Sequence, residues 1–206
     1  MAFLEKHIYL ASRSARRRDI LKQMGVSFEM LLLREGAERD ADFDETPLPN
    51  EEPGTYASRI ARLKAEAGWT RLEQRRLLRY PVLAADTTVA LGNDILGKPA
   101  DREEAVAMLK QLSGNTHFVH SAVAVKYNDR FEEALSTTEV RIRSIEDDEI
   151  RRYVATGESF DKAGAYGIQG RGSVFIKHIS GSYSGVVGLP IFDTARLLAS
   201  FGLRTV

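Results

Sequence analysis

The segment Val82–Leu91 reads VLAADTTVAL, an apolar, β-branched run interrupted by a single acid. Such a run forms a buried strand, so the rest of the chain must supply layers that cover a sheet. Asp86 is the anomaly in it. A carboxylate inside an apolar strand is costly unless it is hydrogen-bonded, paired with a cation or bound to a metal. On local grounds a structural aspartate and a site residue are equal readings. Lys98-Pro99, reached across a hairpin turn at Gly92-Asn93-Asp94, favours the site.

The remaining elements follow from periodicity and punctuation. His7–Ala11 reads as a short strand, Ser12–Ser14 as a turn, and Ser14 as the N-cap of a helix with Ile20, Leu21 and Met24 inside and Gly25 as its stop. Phe28–Leu33 reads as a strand, and the acidic, proline-bearing stretch 35–54 as a loop. Thr55 is expected to cap a helix burying Tyr56, Ile60, Leu63 and Ala67 and ending at Gly68. Asp101 and Glu104 resemble a capping box ahead of Ala105, Met108, Leu109 and Leu112. Phe118–Tyr127 and Ala134–Arg143 read as strands joined at Asn128-Asp129. The second alternates Thr138, Val140 and Ile142 with charged residues, so one face meets water. Ser144 and the acidic turn Glu146–Glu149 open a helix closed by Gly157. Ser173–Ile179 is a strand, and Pro190 starts a last helix with Ala195, Leu198 and Phe201 inside. The pattern specifies one domain over residues 1–206, an α/β or α+β fold with a mixed sheet.

Composition removes several function classes. The 206 residues include no cysteine, which excludes a thiol nucleophile, a disulfide framework and a Cys-based zinc site. The 29 Lys+Arg balance the 29 Asp+Glu, which gives no support to a bulk nucleic-acid binder. No run approaches the length of a membrane span, so a cytoplasmic protein without nucleic-acid or membrane partners is expected. The balance is uneven along the chain: residues 13–22 are rich in Arg, residues 35–52 in Asp and Glu.

Three segments can carry chemistry. In Leu10–Leu21 a strand runs into a Ser-capped helix bearing Arg16 and Arg17 in its first turn. Arginines at the positive end of a helix are unfavourable, and a bound anion relieves the conflict by meeting free N–H groups, hydroxyls and guanidinium groups together. The second segment is Ala84–Thr88. The third is Phe160–Gly170, where glycines either form a plain turn or let backbone approach a ligand, and where Gln169 can read a nucleobase edge. His117 and His120 fall on opposite faces of a strand, which excludes a shared metal. No P-loop, GxGxxG or HExxH motif is present.

Taken in order, these segments resemble the Maf family of nucleoside triphosphate pyrophosphatases. The opening motif reads Ser12-Arg13-Ser14-Ala15-Arg16-Arg17-Arg18-Asp19-Ile20-Leu21, with Ala15 where the family has proline. It is followed by Ala85-Asp86-Thr87, Lys98-Pro99, Ser113–His117, an intact Asp161–Gly170 block and a late Gly181–Pro190 block. The resemblance implies a fold similar to the inosine triphosphate pyrophosphatase group, elongated, with two lobes around a central cleft, and often dimeric. It implies hydrolysis between the α and β phosphates with a divalent metal, Mg²⁺ or Mn²⁺. The Gly164–Gln169 block resembles the dTTP/UTP branch rather than the branch acting on 7-methyl-GTP. The family name also carries a link to septum formation, so a nucleotide-binding regulator is a further alternative. By the same resemblance Asp86 is the proton acceptor, or holds the metal. Ser12, Ser14, Arg16, Arg17, Lys64, Lys98 and Lys162 face the phosphates, and Arg17, Thr87 and Gln169 set specificity. An acid near residue 35 is a metal ligand or a second base, with Glu35 and Glu38 competing for the role. On its own terms Lys64 reads as a surface lysine.

Overall fold

The computed structural model describes residues 7–34 and 42–205. Its strands are β1 (His7–Leu10), β2 (Ser27–Met30), β3 (Val82–Leu91), β4 (Asp94–Leu96), β5 (Thr116–Tyr127), β6 (Arg130–Ile142) and β7 (Ile176–Ser180). Its helices are α1 (Ala15–Gln23), α2 (Pro53–Gln74), α3 (Arg102–Leu112), α4 (Asp147–Ala155), α5 (Tyr183–Val187) and α6 (Ile191–Ser200). The strands form one sheet in the order β2-β1-β3-β5-β6-β7, with β4 folded back on β3. β1 runs parallel to β2 and β3, and the other pairs are antiparallel, so the mixed α/β sheet expected from the sequence is what forms. No helix among the described residues is long and apolar enough to cross a membrane.

Local signals held where local chemistry decides. Ser14 caps α1 by accepting from the Arg17 N–H, Asp101 caps α3 by accepting from Glu104, and Gly25 and Gly157 take the positive φ that ends their helices. Thr138, Val140 and Ile142 of β6 are buried.

Other boundaries moved. α2 starts at Pro53, before Thr55, and runs through Gly68 to Gln74. Gly68 is there for packing: a Cβ would lie 2.8 Å from Val82 Cγ1 and 3.2 Å from Ala11 Cβ, so its absence lets the helix sit on the sheet. β2 ends at Met30, although Leu31 and Leu33 are still buried. β7 begins at Ile176, because residues 171–175 wind into a 3-10 turn.

Side-chain alternation on β3 organises the core. Val82 and Ala84 face α2, packing with Ala57, Ala61, Ala65 and Trp69. Leu83 and Ala85 face the opposite layer, with Ile20 and Leu21 of α1 and Leu197 and Leu198 of α6. Farther along, Val89 joins a separate cluster with α3 and α4 around Leu109, Ile150 and Phe175. Each large side chain buried in these clusters contributes about 1.5–3 kcal/mol. The polar stretch Asp86–Thr88 falls where one body of core ends and the next begins.

A gap in the sheet opens the site. On its β5 side β3 is paired from Val82 to Ala90. On the other side β1 reaches only Val82 and Leu83, and β4 begins at Val89. Among the described residues, 84–88 therefore have no strand partner on that edge. The chain leaves the sheet after Ala11 to enter α1, and Asp86, Thr87 and Thr88 line the opening.

Candidate active site

A cleft of about 630 Å³ occupies this gap. It draws on the β1–α1 turn, the acidic loop, α2, β3, the segment after β4, the 161–169 segment and the end of α5. Ser12, Ser14, Arg16, Arg17, Lys64, Asp86, Thr87, Lys98, Lys162 and Gln169 all line it. Glu35 and Glu38 lie outside the described residues.

On the α2 face, Lys64 is buried rather than a surface lysine, because it has a carboxylate on either side. Its Nζ lies 2.9 Å from Asp86 Oδ1 and 2.7 Å from Glu45 Oε1. Burial works against the ammonium, but the Asp86 and Glu45 charges outweigh it and raise the Lys64 pKa. The other Asp86 oxygen accepts from Thr88 Oγ1 at 3.0 Å. Each Asp86 oxygen thus has one donor, which offsets the cost of an acid in an apolar strand and leaves further lone pairs on the carboxylate.

Glu45 is the residue that sequence reasoning missed. The acidic loop offers many carboxylates, and nothing in its spacing separates Glu45 from its neighbours. What selects it is α2, which ties the loop down along its length. Tyr56 Oη donates to the Glu45 carbonyl at 2.9 Å, Arg59 binds the Thr46 carbonyl and the Glu51 carboxylate, and Arg71 binds Asp42. Tyr56 lines the cleft, and its pKa is pushed up to about 12, first by burial and then by Asp86 and Glu45.

Two carboxylates share one ammonium here, which leaves net negative charge at a partly buried point. That donor set suits a hard divalent cation whose other positions are filled by water and phosphate oxygens. Among the described residues no group of three or more acids or histidines is gathered, so protein ligation alone does not complete a cage.

The opposite face of β3 carries a different network. Arg17 donates through Nε to the Gly188 carbonyl at 2.9 Å, and through its two other nitrogens to Ser12 Oγ at 3.1 Å and Thr87 Oγ1 at 3.3 Å. Ser121 Oγ stands 3.1 Å from Thr87 Oγ1 and 2.6 Å from the Gly185 carbonyl. Arg17 and Thr87 are therefore one unit, fixed to the end of α5. Their alternating neighbour Asp86 points to the other side of the strand.

Positive charge rings the mouth. Arg16 meets Asp161 at 2.9 Å, and Lys162 meets Asp161 at 2.5 Å. Partial burial opposes ionisation of Asp161, but Lys162 and Arg16 prevail and lower its pKa. Lys98 is exposed at the cleft edge. With the start of α1 beside them, these cations are suited to a polyanion.

The glycines of the third segment are packed against by the protein's own side chains, and Gly167 also lines the cleft. A Cβ at Gly164 would strike Val89, one at Gly167 Lys162, one at Gly170 Glu158, and one at Gly172 Tyr153. They admit the protein's own side chains, and Gln169 is left exposed at the cleft. Behind it Tyr166 lines the cleft and bonds His117 Nε2 at 2.8 Å. His117 is fully buried, and burial pushes its pKa down to about 4. His120 bonds Thr137 instead, so the two histidines do not meet.

Proteins of similar sequence and structure place the chain in a family. The dTTP/UTP pyrophosphatase of Aromatoleum aromaticum is 56% identical over 97% of both chains. That of Nitrosomonas europaea is 57% identical over 95% of both, and that of Dechloromonas aromatica 50% identical over 96% of this chain and 98% of its own. Among solved structures, the Staphylococcus aureus Ham1 protein is similar with a TM-score of 0.42 and 20% identity, covering 66% of this chain and 71% of that one. The family model described as Maf-like protein matches residues 7–201. The chain belongs to the Maf family.

Proposed function

We propose that this protein is a nucleoside triphosphate pyrophosphatase that converts dTTP and UTP to the monophosphate and pyrophosphate. The observation that carries the reading is that adjacent residues of β3 serve two sides of one cation-lined cleft: Asp86 joins Lys64 and Glu45, and Thr87 joins Arg17. Full-length relatives more than half identical bear the name dTTP/UTP pyrophosphatase, which supports the substrate assignment.

In this reading the triphosphate lies against the start of α1, with Arg16, Lys98 and Lys162 neutralising its charge. Water attacks the α phosphorus. A new P–O bond forms, the bond from that phosphorus to the bridging oxygen breaks, and pyrophosphate leaves. Asp86 accepts the proton of the attacking water, and Lys64 holds its carboxylate in place. Asp86 and Glu45 would hold a Mg²⁺ or Mn²⁺ ion, which when bound supplies charge stabilisation at the phosphates. Arg17, Thr87 and Gln169 select the base. The reading includes a cytoplasmic enzyme acting as a homodimer.

A panel of dTTP, UTP, CTP and 7-methyl-GTP, assayed for pyrophosphate release with Mg²⁺, tests it. Turnover of dTTP and UTP is expected. Preference for 7-methyl-GTP, or nucleotide binding without turnover, overturns it.

A further inference from the structure

Gln169 sits on a turn whose shape is imposed from behind. Gly170 opens the 3-10 turn of residues 171–175 and has no side chain with which to cap it. The cap comes from Glu158. Its Oε2 accepts from the Arg171 N–H at 2.9 Å, and its Oε1 accepts from the Gly172 N–H at 3.2 Å and from Tyr153 Oη at 3.0 Å. The carboxylate fills the space where a Cβ at Gly170 would fall. Burial opposes its ionisation, but the two N–H groups, Tyr153 and Lys162 prevail and lower its pKa.

The same residue reaches the phosphate side. The main-chain carbonyl of Glu158 accepts from Lys162 Nζ at 2.7 Å, and Lys162 in turn pairs with Asp161, the partner of Arg16. One residue therefore fixes the Gln169 turn with its side chain and a cleft lysine with its backbone. It lies outside the block that carries the family resemblance, and it does not line the cleft.

We infer that Glu158 is a positioning residue for base selection: its carboxylate holds the turn in the one shape that presents Gln169 to the nucleobase. The inference rests on the reading of Gln169 as the base-reading side chain. A carboxylate accepts from both N–H groups. An amide in its place turns a donor toward one of them, and the turn loosens.

The test uses Glu158→Gln, which keeps the size of the side chain and the carbonyl that holds Lys162. The ratio of kcat/KM for dTTP over CTP is expected to fall about tenfold, carried by KM for dTTP. Inhibition by inorganic tripolyphosphate, which has no base, is expected to stay within about twofold. An unchanged ratio overturns the inference, and so does equal weakening of dTTP and tripolyphosphate, which marks general damage to the cleft. Gly170→Ala provides a second route should Glu158→Gln fold poorly. The backbone at Gly170 is extended, so alanine is tolerated there, but its Cβ expels the carboxylate with its charge intact. The same loss of ratio is expected, and a retained ratio contradicts the inference. Gln169→Ala separates the two levels. If it leaves the ratio unchanged, the reading of Gln169 fails and the inference with it. If it changes the ratio while Glu158→Gln does not, the inference alone fails.

Discussion

Lys64 and Asp86 meet at 2.9 Å across the helix–sheet interface, and the same ammonium holds Glu45 at 2.7 Å. Lys64→Met leaves two carboxylates facing each other without compensation. Stability is expected to fall by about 3 kcal/mol, with a large loss of kcat. Because the folded pKa of Lys64 is raised, its contribution is complete below the ordinary lysine value of about 10.4 and is lost only as pH rises through the folded value. Urea denaturation at neutral pH checks this. A variant as stable as the parent contradicts it.

Glu45 predicts a metal response. Glu45→Gln removes one of the two carboxylates, so the Mg²⁺ concentration for half-maximal activity is expected to rise about tenfold, while kcat at saturating Mg²⁺ recovers in part. Chelation is expected to abolish turnover of the unmodified enzyme. Activity that persists in chelator argues against a metal at this pair.

Arg17 and Thr87 act as one unit, with the guanidinium donating in three directions. An ammonium cannot reproduce that fork. Arg17→Lys is expected to reduce kcat/KM for dTTP by about 10²-fold and to blunt discrimination among bases. Kinetics across the nucleotide panel provide the check, and full retention of selectivity refutes the pairing.

His117 gives a pH signature. Its pKa is about 4 in the folded protein against 6.5 for a free histidine. The unfolded chain binds the extra proton within that window, so stability falls as pH drops from about 6.5 to 4, by up to about 3 kcal/mol. His117→Gln is expected to be less stable at neutral pH but to lose less on acidification. A stability gap between the two proteins that does not vary with pH contradicts the account.

How far the sequence carried depended on the range of each cause. Ser14, Gly25, Asp101 and Gly157 act through a few neighbouring bonds, and their roles were readable. Gly68 looked like a helix stop, yet its reason is Val82 on the sheet beneath it. Lys64 looked like surface because its two carboxylates come from a strand and a loop distant in the chain. The glycines at 164, 167 and 170 were visible as a device, but whether ligand or protein fills the space depends on Val89, Lys162 and Glu158. The collinear motifs placed the cleft-lining residues in advance. Glu45 did not stand out among the acids of its loop, because its place beside Lys64 depends on the anchoring by Tyr56, Arg59 and Arg71.

In the proposed reaction Asp86, on the α2 side of β3, drives cleavage between the α and β phosphates. This step is tested most directly by ³¹P NMR of the products from dTTP, with the parent protein and Asp86→Asn. The parent is expected to yield dTMP and pyrophosphate, and Asp86→Asn a rate about 10³-fold lower with nucleotide binding retained. Formation of dTDP and inorganic phosphate, or an undiminished rate in Asp86→Asn, contradicts it.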